Sequence, residues 1–220
     1  MRSARHVVSL LIFVGSAVLI QSTTASAQTQ IDFGAQLGLA ITSLPHAGEV
    51  FDQVVGLDSS ESTSRLGLAG GAYIGFPITS TLAFEPGALF VMKGVELTER
   101  NNKGTVKVRI NYLDVPLLVR WRIPLGTDFS SNVFTGPSFG VKLSSSAKLD
   151  GPNGSLDANV DPALKSLDVG WAFGLGIVRE RFLFEGRFTA GLTDVATTTY
   201  PHNDSLKNKT FLLLAGMKLF

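Results

Sequence analysis

Residues 108–123 read VRINYLDVPLLVRWRI. Every second residue from Leu113 is apolar: Leu113, Val115, Leu117, Val119, Trp121 and Ile123. The alternate set is Tyr112, Asp114, Pro116, Leu118, Arg120 and Arg122, and it holds three charges. Successive side chains of an extended strand point to opposite faces, so a period of two predicts a strand. Strands of ordinary globular sheets run about 5–6 residues. This one is longer and more sharply two-faced. It suits a wall with lipid on one side and a crowded polar lumen on the other, which describes a transmembrane β-barrel strand.

The same alternation recurs along the chain. A first strand carries Ile31, Phe33, Ala35, Leu37, Leu39 and Ile41 on its apolar face. A second runs over about 65–76 and a third over about 81–93, with Glu85, Gly87 and Lys93 on the opposite face of the third. The fifth sets Val133, Phe139, Val141 and Leu143 against Gly136, Ser138, Gly140 and Lys142. The sixth sets Leu167, Val169, Trp171, Phe173, Leu175 and Ile177 against Asp168, Gly170, Ala172, Gly174 and Gly176. A tight turn at Arg179-Glu180-Arg181 leads to a seventh, with Phe182, Phe184 and Phe188 opposite Glu185 and Arg187. An eighth spans about 209–220, with Lys218 facing inward if Phe211, Leu213, Ala215 and Met217 face out. Segments 43–64, 94–104, 145–165 and 194–208 read as long loops, and they alternate with short turns. An even strand number with alternating long loops and short turns is the pattern of an all-β, eight-stranded antiparallel up-and-down transmembrane barrel.

Composition sets the bounds. The chain has 220 residues, of which 45% are hydrophobic and 17% charged, below the roughly 25% charged residues of soluble domains. No apolar run outside the N-terminus reaches the about 18 residues of a spanning helix. The formal net charge of +1 gives no basis for binding nucleic acid, and the absence of cysteine excludes disulfides and thiolate chemistry. At the N-terminus, Arg2 and Arg5 precede the apolar stretch Val7 to Ile20 and the small-residue site Ala25-Ser26-Ala27. This is the pattern of a secretory signal peptide, residues 1–27, followed by a barrel domain, residues 28–220.

Alternation does not say which face points inward. A soluble secreted barrel would put its apolar face inside and bind a ligand there. The polar faces favour the membrane barrel, because they are built largely from glycine and alanine. Small residues suit an eight-stranded lumen just wide enough for side chains to fill. Glu85, Asp114, Arg120, Arg122, Glu185, Arg187 and Lys218 then form a lumen charge cluster, together with Lys93 and Lys142. An isolated buried charge is costly, so these groups must pair. The structural reading is a salt-bridged plug; the alternative is a narrow path for ions or small solutes. Pro86, Pro116 and Pro137 fall inside strands, where each removes a ladder hydrogen bond and predicts a local bulge.

Two stretches resemble the PorT-like outer-membrane β-barrel proteins. Asn111-Tyr112-Leu113-Asp114-Val115-Pro116-Leu117-Leu118 is similar to that family's Tyr-Leu-Glu-Ile-Pro-Leu-Leu pattern, with Asp114 in place of glutamate. Phe134-Thr135-Gly136-Pro137-Ser138-Phe139-Gly140 is similar to its Gly-Pro-x-x-Gly strand. Glu85 ahead of Lys93-Gly94, and the terminal Phe220, also match. The resemblance covers about 31–220. It implies an outer-membrane barrel and no shared activity; the namesake's link to protein secretion and gliding does not transfer on these motifs.

Catalytic patterns fail on inspection. His6 leaves with the signal segment, and His46 and His202 fall in loops. His202, Asp204 and Ser205 sit too close in sequence for a triad. Asn102-Lys103-Gly104-Thr105 lacks the upstream glycine of a phosphate loop. Asn153, Asn203 and Asn208 begin Asn-x-Ser/Thr sequences, which a bacterial envelope protein rarely uses. The sequence therefore reads as a non-enzyme with no cofactor and no metal, located in the bacterial outer membrane. Its expected partners are outer-membrane lipid, the barrel-assembly machinery during insertion, and a surface partner through loops 43–64, 145–165 and 194–208. Closed membrane barrels resist SDS until heated. The mature protein refolded in detergent should therefore migrate differently boiled and unboiled; a single mobility, with folded protein soluble in plain buffer, would reverse the inside–outside assignment.

Overall fold

The computed structural model describes residues 31–43, 60–99, 105–151, 154–158, 165–194 and 207–220. Segment 1–27, His46 and His202 lie outside the described residues. The strands are β1 (Asp32–Ser43), β2 (Ser60–Pro77), β3 (Leu82–Glu99), β4 (Thr105–Pro124), β5 (Phe129–Gly151), β6 (Gly154–Ala158), β7 (Leu167–Arg179), β8 (Phe182–Gly191) and β9 (Lys209–Lys218). Every pairing is antiparallel. Eight of the strands close into a barrel, because β4 pairs with β5 and β1 pairs with β9. The last seam runs from Gly34 opposite Lys218 to Ser43 opposite Lys209. One end carries the start of β1, the end of β9 and the turns at 78–81, 125–128 and 180–181; it is the turn end, and the other is the loop end.

The face assignment follows the alternation. Trp121, Leu175 and Phe184 are about 60% exposed, whereas Ile110, Tyr112 and Leu118 on the opposite parity are buried. β9 has Phe211, Leu213 and Met217 outward and Thr210, Leu212 and Leu214 buried. Phe33 stacks on Phe220, and Phe76 on Phe84, near the turn end. With Trp121, Phe129 and Phe182 exposed at the same level, they make an aromatic girdle of the kind found at a membrane interface.

The structure corrects three expectations. First, the strands reach further than the sequence suggests. β2 begins at Ser60, β3 runs on to Glu99, β4 starts at Thr105, and β5 continues to Gly151, where β6 pairs with it. Segments 43–64, 94–104 and 145–165 therefore contain strand. Ladder hydrogen bonds join backbone to backbone, so a hairpin projecting past the apolar belt needs no apolar face of its own. Second, the prolines make no bulges. Pairing lapses between Tyr73/Gly87 and Phe76/Phe84, between Pro86/Leu117 and Leu89/Asp114, and between Pro116/Ser138 and Val119/Thr135. Each lapse skips two residues on both strands, so register is kept. The shifts lie nearer the loop end, between Ser64 and Ala69 and between Asn111 and Tyr112. Third, the lumen holds more than small and charged residues. Ala40, Ala69, Leu89, Val91, Leu212 and Leu214 form one buried cluster, and Leu118, Phe134 and Ala172 another.

Glycine makes room for lumen aromatics. A Cβ on Gly174 would stand 2.5 Å from the Phe134 ring, and one on Gly34 would overlap the Tyr73 ring. Both are cross-strand partners, Phe134 with Gly174 and Gly34 with Tyr73. Gly174→Val should destabilise the barrel by about 1–3 kcal/mol through overpacking. Gly186→Val should be tolerated, because its Cβ meets nothing nearer than 3.6 Å, on the outward Phe211 ring. The temperature at which the SDS-resistant band converts to the unfolded one measures both.

Candidate functional site in the barrel lumen

Along β4 the lumen face runs, from the turn end, Arg120, Leu118, Pro116, Asp114 and Tyr112. Two of these residues anchor separate charge clusters.

Arg120 centres the first. Its Nε donates to Glu85 Oε2 at 2.8 Å and its Nη2 to Glu85 Oε1 at 2.6 Å, a two-pronged pairing. The same Nη2 donates to Glu185 Oε2 at 2.9 Å, and Nη1 donates to Asn132 Oδ1 at 2.5 Å. Arg187 donates to Glu185 Oε1 through Nε at 3.1 Å and Nη2 at 2.5 Å. Two carboxylates meet two guanidiniums, so the cluster is neutral. The Phe134 ring is near both cations, 4.4 Å from the Arg120 guanidinium and 5.5 Å from that of Arg187. The negative face of an aromatic ring attracts a cation, so Phe134 supports both. All of these groups are buried.

The second cluster lies toward the loop end. Lys93 Nζ is 3.0 Å from Asp114 Oδ2 and 3.6 Å from Asp168 Oδ2. It stands 4.5 Å from the centroid of the Tyr112 ring. Asn208 donates from Nδ2 to Asp168 Oδ2 at 2.7 Å. Asn208 is thus a buried lumen side chain, which removes it as a glycosylation candidate.

The remaining residues of the expected cluster separate from both. Arg122 and Lys218 sit at the rim of the turn end, where Lys218 pairs closely with Asp32 and Arg122 approaches Asp32 at 3.8 Å. A short strand end brings them out of the packed lumen and leaves both partly exposed. They line a vestibule of about 410 Å³ that is floored by Glu85, Arg120 and Asn132. Lys142 is half-buried on the inward face of β5 and makes contacts of its own.

Asp32, Asn132, Asp168 and Asn208 were missed as cluster members. Parity could have found Asn132, which shares a face with Gly136, and Asp168, which shares one with Gly170. Asn208 precedes β9 and gives no such signal. Among the described residues, no group of three or more His, Cys, Asp or Glu side chains is placed to hold a metal ion, and no helix is long and apolar enough to cross a membrane.

A closed antiparallel wall, apolar outside and ion-paired inside, defines a transmembrane β-barrel: closure pairs the backbone groups that hydrocarbon cannot solvate. The chain belongs to the outer membrane protein beta-barrel domain family, which it matches over residues 25–197. It is a protein of the bacterial outer membrane. Among solved structures it is similar to OprG from Pseudomonas aeruginosa, at 16% identity and a TM-score of 0.46, covering 86% of this chain and 95% of that one. It is similar to Neisserial surface protein A at 10% identity and a TM-score of 0.46, covering 85% and 97%. It is similar to Ail of Yersinia pestis, in complex with a heparin analogue, at 12% identity and a TM-score of 0.44, covering 86% and 99%. A search of curated protein sequences finds no match.

Removing one partner of a buried pair strands the other charge. Arg120→Met leaves Glu85 uncompensated and should cost about 3–5 kcal/mol. In the double variant Glu85→Gln with Arg120→Met, Glu185 keeps Arg187 and no charge is stranded. Its conversion temperature should lie above that of Arg120→Met alone.

Proposed function

We propose that the protein is a non-conducting surface barrel, in which the lumen is a structural plug and the loop end makes any partner contact. The reading rests on the burial of Arg120, Glu85, Glu185, Arg187 and Phe134 at one level of the lumen. An aqueous channel through that level would wet these groups. The vestibule at the turn end stops against them.

In this reading segment 1–27 directs export and the barrel-assembly machinery inserts residues 28–220 among outer-membrane lipids. Segments 43–64, 145–165 and 194–208 present the surface to a partner, and the chain performs no catalysis. Residues 111–118 and 134–140 support a place among the PorT-like barrels within the wider family.

Recordings on the refolded barrel in planar bilayers test the plug. No discrete conductance is expected from the wild type. Arg120→Ala combined with Phe134→Ala should open measurable steps. Steps of equal size in the wild type would replace the plug with a channel.

A further inference from the structure

Of the charged residues lining the loop-end cavity, two are carboxylates and one is a lysine. Lys93 faces two carboxylates, Asp114 and Asp168, and all three are buried. These are the charged residues lining a cavity of about 10 Å³, and Asn208 lines it as well. Lys93 engages the Oδ2 atom of each aspartate. Among the described residues, Asp114 Oδ1, Asp168 Oδ1 and Asn208 Oδ1 have no hydrogen-bond partner. Asn208 is only 3% exposed, and its Nδ2 bond to Asp168 fixes which end of the amide stays open. The Tyr112 hydroxyl lies beside Asn208.

Gly140 keeps the space clear. A Cβ there would stand 2.8 Å from Asp114 Oδ1, 3.2 Å from the Tyr112 ring and 3.5 Å from the Asp168 Cβ. A cavity of about this size has room for one water-sized particle. A neutral water would satisfy some of the oxygens and leave the surplus negative charge in a dry lumen, where an uncompensated charge is costly. A divalent ion would overshoot to a surplus positive charge. A small monovalent cation matches the charge, the volume and the all-oxygen donor set that hard cations take.

We propose that this cavity binds one small monovalent cation, of which sodium is the probe, through Asp114, Asp168 and Asn208 with the Tyr112 hydroxyl beside them. Asp168 is the second residue of β7, and Asn208 immediately precedes β9. The site therefore lies just inside the loop end, and it does not depend on whether the lumen conducts. Binding to the folded barrel alone stabilises it by mass action.

The test compares conversion temperatures of the refolded full barrel in sodium chloride and in choline chloride at equal ionic strength. Sodium should raise the temperature, increasingly with its concentration, and choline should not. Asp168→Asn removes the surplus charge and should abolish the difference. Gly140→Ala, which fills the cavity and leaves the charges in place, should abolish it too. The sodium-23 resonance should broaden over folded wild-type protein and sharpen when the barrel is heat-unfolded. Equal temperatures in sodium and choline with an unbroadened resonance would overturn the proposal, as would a full sodium effect surviving in both variants.

Discussion

β1 and β9 are the first and last strands of the barrel, and their pairing from Gly34/Lys218 to Ser43/Lys209 leaves no strand edge in the ring. Hydrocarbon offers backbone amides and carbonyls no partner, and each unsatisfied group there costs several kcal/mol. Closing the ring is therefore the condition for the rest of the architecture. Closure with eight strands fixes a narrow lumen, and a narrow lumen dictates which side chains can point inward.

That lumen is packed like a protein interior. Phe134 and Tyr73 lie over cross-strand glycines, and a methyl group in either place would strike the ring. Leu89, Val91, Leu212 and Leu214 fill another layer. Charges enter this space as paired groups. The Arg120 cluster is neutral within itself and uses Phe134 as a shared support. The Lys93 cluster is not neutral within itself, and this imbalance separates two groups that otherwise resemble each other.

The prolines show how much irregularity the wall absorbs. Pro86 and Pro116 stand beside lapses in adjacent seams, yet register is the same on either side of each lapse. A slip of one residue would exchange the lipid and lumen faces of a whole strand. Keeping register through the lapses preserves both the apolar belt and the buried ion pairs, so the shifts are tolerated nearer the loop end instead.

The sequence by itself determined the strands that cross the membrane, their parity and the sign of each face. Side chains alternate by backbone geometry alone, and lipid and lumen demand opposite chemistry. This is why Val115 and Arg120 could be assigned to opposite faces from residues 108–123. The strand extensions at 60–64, 94–99, 144–151 and 154–158 were not legible, because outside the apolar belt strand pairing no longer depends on an alternating pattern. Only the tertiary structure decided which charges meet. Glu85, Arg120 and Glu185 come from β3, β4 and β8, and their distances depend on strand tilt and on curvature around the ring. Curvature likewise brings Asn208 to Asp168, 40 residues away in sequence, and leaves Arg122 and Lys218 at the rim with Asp32. Parity says that a residue faces inward; the height and angle at which it does so are properties of the closed barrel.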